Sequence, residues 1–132
     1  EEGSYTVESG RAAMLRLLER DPKAVRCVFA ANDLMALGAL LAVREAGLRC
    51  PDDVSILGFD GIPAAAFSDP GLTTIEKPAR AIGVEGMHLL AETIEGKLEH
   101  RRVLLDCALT SRGSLAHNSD LGPTRLMAVG SN

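Results

Sequence analysis

Apolar positions along the chain switch between two periods. From Val7 to Arg20, Ala12, Leu15 and Leu18 recur at three-residue steps, with Met14 and Leu17 widening the stripe. That pattern predicts a helix, stopped by Asp21-Pro22. Ala24 to Ala30 is a short apolar run of strand length. Asn32-Asp33 opens a second predicted helix, Leu34 to Ala46, with Gly47 in the C′ place. Pro51-Asp52-Asp53 reads as a turn and Val54 to Phe59 as a second buried strand, ending at Asp60-Gly61. Ile62 to Gly71 is a loop of small residues, and Leu72 to Ile75 is a third strand. Pro78 stands where helices begin, and Ile82, Gly86, Leu89, Leu90 and Thr93 share one face of a helix ending at Gly96. Val103 to Leu105 and Ala108 to Thr110 predict one or two final strands. From Arg112 onward periodicity is lost, and a poorly ordered tail is expected.

Helices alternating with buried strands predict an α/β fold with a parallel sheet. Ligands of such sheets bind outside the carboxyl ends of the strands. That rule selects Ala31-Asn32-Asp33 and Phe59-Asp60-Gly61. The second helix is apolar nearly all round from Leu34 to Val43, so one sheet face cannot cover it. A partner subunit is the expected second cover, touching Leu34, Met35, Leu37 and Leu41.

Composition narrows the function. The net charge is −4, with 14 basic residues scattered among 18 acidic ones. DNA grip needs a basic face, so any DNA contact lies outside this segment. Cys27, Cys50 and Cys107 show no C-x-x-C or Cys/His spacing, which excludes a simple zinc motif. Free, buried thiols and a reducing, cytoplasmic compartment are expected. No apolar run approaches the roughly 20 residues of a membrane span.

The candidate chemistry is that of binding. Asn32 offers two donors and an acceptor and Asp60 two acceptor oxygens, enough to grip a sugar's vicinal hydroxyls or the polar edge of a base. Asn32 and Asp33 are equally good helix caps, and Asp60 before Gly61 is equally a turn residue. Tyr5, the only tyrosine, either offers a stacking face or sits loose at the surface. His88, His100 and His117 have no metal-ligand spacing, and neither Ser9 nor Ser55 has nucleophile-elbow context. No cofactor, metal or catalytic group is expected.

Three segments together resemble the lactose/galactose-repressor family of transcription regulators. Phe29-Ala30-Ala31-Asn32-Asp33-Leu34-Met35-Ala36-Leu37-Gly38 resembles that family's F-x-x-N-D-x-M-A-x-G. Gly47 to Asp60 resembles its G-x-x-V-P-x-D-[IV]-S-[VI]-x-G-[FY]-D, and Leu72-Thr73-Thr74-Ile75 with Pro78 its L-T-T-[IV]-x-Q-P. The resemblance implies a two-lobed, periplasmic-binding-protein-like (type I) core. Residues 1–76 would supply the C-terminal lobe, 77–112 a helix and strand of the N-terminal lobe, and 113–132 a disordered tail. It also implies that Asn32 and Asp60 contact the effector, that Tyr5 packs on its ring, and that the helix from Leu34 lies at a homodimer interface. DNA would be read by a helix-turn-helix not contained in this chain. Ser4 stands where the family usually has Asp, and Lys77 where Gln is common. Lys77 therefore joins the ligand-binding candidates and favours an acidic or phosphorylated effector over a neutral sugar, with a nucleobase also open. The rival reading is a solute-binding protein of an ABC transporter. An enzyme that phosphorylates Asp60 is disfavoured, because no carboxylate cluster accompanies it to hold Mg²⁺.

Overall fold

The computed structural model describes residues 1–21, 23–97 and 101–116. Its elements are α1 (Val7–Arg20), β1 (Cys27–Phe29), α2 (Asp33–Glu45), β2 (Ser55–Asp60), a 3₁₀ turn (Pro63–Ala66), β3 (Thr73–Glu76), α3 (Ala79–Ile94) and β4 (Ala108–Thr110). Thr6 and Ser9 form a reciprocal capping box at the start of α1, each side-chain oxygen accepting the other's backbone N–H at 3.2 Å. β1 is shorter than its apolar run. The Asp21 carboxylate accepts the N–H groups of Lys23 and Ala24, which holds the start of that run in a turn.

The sheet order is β1-β2-β3-β4. The first three strands run parallel, with Val28 opposite Ile56 and Leu57 opposite Thr73, while β4 pairs antiparallel with β3. The sheet is therefore mixed rather than wholly parallel. Val103 to Leu105 joins no strand. Burial alternates along β2, where Ile56 and Gly58 are buried and Leu57 and Phe59 only partly so. Parallel strands covered on both faces would not alternate.

α2 explains its own composition. Beneath it lies the sheet, and α1 lies along its other side at backbone contact. A Cβ added at Gly38 would sit 2.6 Å from the Arg11 nitrogen, and one at Gly10 2.6 Å from the Met35 carbonyl carbon. The second cover is thus largely α1 of the same chain, where a partner subunit was expected. Met35 belongs to this intrachain packing, its side chain lying against Gly3. Leu37 is half-buried against the core, and only Leu34 (39%) and Leu41 (45%) of the four named interface residues stay exposed. By contrast, α3 buries none of its residues; Met87, Leu90 and Ile94 all face outward.

The segment after β4 corrects the tail assignment at its start. Ser114 is fully buried, its hydroxyl donating to the Ile56 carbonyl at 2.6 Å and accepting from the Thr73 N–H at 2.8 Å. Its carbonyl accepts the Ile56 N–H at 2.8 Å. Residues 117–132, including His117, lie outside the described residues, as does His100; His88 is exposed on α3. Among the cysteines, Cys27 and Cys107 are exposed and Cys50 is half-buried, so two of the three expected buried thiols are open to solvent.

Candidate functional site

The carboxyl ends of β1, β2 and β3 meet at one edge, and the Asn32-Asp33 pair organises it. Asn32 caps α2, its Oδ1 accepting the Met35 N–H at 2.9 Å. Its Nδ2 donates to the Tyr5 carbonyl at 3.1 Å. That bond braces Tyr5 at φ 62°, a left-handed conformation disfavoured for residues with a Cβ. The Tyr5 ring is exposed (64%). Of the two readings open for Asn32, capping is realised in full, leaving one amide hydrogen uncommitted.

Asp33 does what no local pattern announced. It is fully buried, and its Oδ2 accepts the N–H groups of Gly61 and Ile62 at 2.9 and 2.8 Å. Its Oδ1 accepts the Thr74 hydroxyl at 2.6 Å. The residue that begins α2 thereby ties the loop after β2 to β3. Gly58 leaves room for it, because a Cβ there would collide with the Asp33 carboxylate. A glycine inside an apolar strand was the one sequence signal of this close approach.

Asp60 ends β2 at φ 120°. Lys77 holds it at two points: Nζ lies 2.7 Å from Asp60 Oδ1, and the Lys77 N–H donates to the Asp60 carbonyl at 3.4 Å. The pair stands in an open cleft of about 690 Å³ whose walls include Gly61, Glu76, Arg80 and Glu85. Glu76 accepts the Thr110 hydroxyl at 3.1 Å. The structure therefore brings Asp60 to Lys77 and Asn32 to Tyr5. Neither Tyr5 nor Asn32 lines the cleft; the two pairs are joined through Asp33 and Gly61. Such an edge presents fixed donors and acceptors suited to recognising hydroxyls. Among the described residues no three His, Cys, Asp or Glu side chains gather as metal ligands, and no helix is long and apolar enough to cross a membrane.

The profile of the periplasmic binding protein-like domain family matches residues 1–115. The chain belongs to that family. Among its relatives, the HTH-type transcriptional regulator MalR of Streptomyces coelicolor is 46% identical over 113 residues, covering 85% of this chain and 32% of MalR. The transcriptional regulator CelR in its cellobiose complex superposes with a TM-score of 0.79 at 40% identity, over 85% of this chain and 34% of CelR. The lac repressor dimer bound to operator and an anti-inducer superposes at 0.80 with 31% identity, over 88% of this chain and 40% of that one. The resemblance to lactose-repressor-type regulators is thus borne out, and the relatives are named as regulators rather than enzymes. The chain spans about a third of the length of the relatives it matches.

Proposed function

We propose that this periplasmic-binding-protein-like domain is the effector-sensing and dimerising part of a lactose-repressor-type transcription regulator. The observation that carries the reading is the Asp60–Lys77 cleft, placed at the carboxyl edge of the sheet in a chain whose relatives are HTH-type regulators. The effector is a small polar compound: a sugar, a nucleobase or a phosphorylated sugar. Asp60 and Lys77 contact it directly, and Asn32 holds Tyr5 at the rim. Residues 1–76 act as one lobe, and 77–112 pass into the second; the unburied α3 supports this division. A homodimer forms through the strip of Leu34, Leu37 and Leu41. DNA is read in the cytoplasm by a helix-turn-helix elsewhere in the protein, and effector binding changes DNA affinity through its differential affinity for two lobe arrangements.

The test uses the gene's whole product. DNA that it retains is selected from a random library, and candidate sugars are then screened for release of that DNA. A specific operator with ligand-dependent release is expected. A protein that retains no DNA and is found in the periplasm would instead be a transporter's solute-binding protein. Within the responsive protein, Asp60→Ala should weaken effector binding by about 1.5–3 kcal/mol, the scale of a hydrogen bond to a charged group.

A further inference from the structure

We infer that residues 112–116 are a latch that ties the surface loop 62–71 to β4, so that movement at the β4 edge of the sheet sets the position of that loop. The loop leaves β2 at Gly61, and the buried Asp33 carboxylate fixes its start. Its middle stands in solvent and presents Phe67, which is 87% exposed. Its shape closes on Leu72, whose N–H donates to the Ala65 carbonyl at 2.8 Å and to the Ser68 hydroxyl at 3.0 Å. Whatever holds Leu72 therefore holds the far end of the loop.

The holder comes from 40 residues further along the chain. Arg112 donates from Nη1 to the Leu72 carbonyl and from its backbone N–H to the Thr73 hydroxyl, both at 2.8 Å. The Ser114 N–H donates to the Gly71 carbonyl at 3.0 Å, and its hydroxyl accepts the Thr73 N–H at 2.8 Å. On the other side, Ile56 lies one position before the first β2–β3 pair, Leu57 with Thr73. Ser114 takes both backbone groups of Ile56 and is thereby wedged between the two strands. Ile56, Thr73 and Ser114 are all fully buried, so the wedge cannot slip without orphaning its partners. The neighbouring helix holds the loop less specifically. Ala65 and Ile62 pack on the core without direction, and Arg44 meets Asp69 at 3.5 Å with both side chains well exposed. The latch continues directly from β4, which β3 grips over three residue pairs, Thr74 to Glu76 with Thr110 to Ala108. Before β4 stands α3, which buries none of its residues. A displacement of α3 is handed through β4 to Leu72. That handover rests on residues 77–112 passing into a second lobe, as proposed above; the latch does not.

Amide hydrogen exchange in the whole protein tests both links without effector or DNA. Arg112→Met keeps the side-chain stem and removes one charged donor, so Leu72 and Phe67 should exchange faster by on the order of tenfold. Arg44→Met should leave both within about twofold. The α1 amides should keep their protection in both variants. The latch is overturned if Arg44→Met loosens the loop as much, or if α1 loosens with it. It is overturned equally if Leu72 and Phe67 move in neither Arg112→Met nor Ser114→Ala. For the handover, Ile75→Cys and Leu109→Cys stand directly opposite on β3 and β4, in a Cys107→Ser background. Oxidation fixes β4 and should slow Leu72 exchange relative to the same molecule reduced with dithiothreitol. Equal rates before and after reduction overturn the handover, even where Arg112→Met behaves as expected.

Discussion

Asp33 is the buried joint on which the site's geometry depends, and its removal has a calculable cost. Asp33→Ala deletes three charge-assisted hydrogen bonds, from Gly61, Ile62 and Thr74. The Gly61 N–H retains the Thr74 hydroxyl at 3.3 Å, but that of Ile62 loses its only side-chain acceptor. A fully buried orphaned N–H costs about 1–3 kcal/mol, with the half-buried Ile62 N–H at the low end, and each lost bond to a charged group costs about 1.5–3 kcal/mol. Relief of the desolvation of a buried carboxylate offsets part of this sum. The net loss expected is about 3–5 kcal/mol, a large share of the roughly 5–15 kcal/mol by which domains are stable. Asp33→Asn keeps an acceptor for both N–H groups and can turn its amide toward the Thr74 oxygen, so it should lose only about 1–2 kcal/mol. Urea unfolding followed by circular dichroism measures both differences. Hydrogen exchange should show the Ile62 amide opening in the alanine variant while the α1 amides stay protected. If Asp33→Ala lies within about 1 kcal/mol of the native protein, or Ile62 stays protected, the joint is not what holds this loop.

Four further outcomes follow from other contacts. Gly38→Ala should destabilise by about 1–3 kcal/mol in thermal melts despite alanine's higher helix propensity, because its Cβ would meet the backbone of Val7 and Arg11. Ser114→Ala removes a fully buried hydroxyl that bridges Ile56 and Thr73, and should cost about 2–3 kcal/mol by denaturant titration. Leu34→Glu with Leu41→Glu should leave unfolding of the isolated chain within about 0.5 kcal/mol, since both residues are exposed, while converting the whole protein from dimer to monomer in analytical ultracentrifugation. Burial pushes the Cys50 thiol from its ordinary value of 9.0 up to about 11, despite a lowering backbone hydrogen bond. The fold therefore disfavours the thiolate, so the stability Cys50 contributes is complete below pH 9 and is lost as the pH rises through about 11. Replacing Cys50 by Ala should flatten that alkaline decline in denaturant midpoints.

Most of the elements, and the places to look among them, were legible in local sequence patterns, although β1 is shorter than its apolar run and Val103 to Leu105 forms no strand. Local signals carry that information: the apolar step of α1, the Asn32 cap, and Asp60-Gly61 closing an apolar strand all lie within a few residues of what they specify. The order of helix and strand then placed the candidate residues at the carboxyl edge of the sheet. Which groups meet across long separations became visible once the elements were packed together. Asp33 reaches Thr74, Ser114 reaches Ile56, and Lys77 reaches Asp60, each through a hydrogen bond between residues distant in the chain. Side-chain chemistry announces that such groups need partners, but not which partners they find. The same limit explains α2. Its all-round apolar surface correctly demanded two covers, yet whether the second came from α1 or from another subunit turned on the close approach at Gly10 and Gly38. A glycine in a helix reads as a weak position until a neighbouring backbone is seen to occupy the space its missing Cβ leaves.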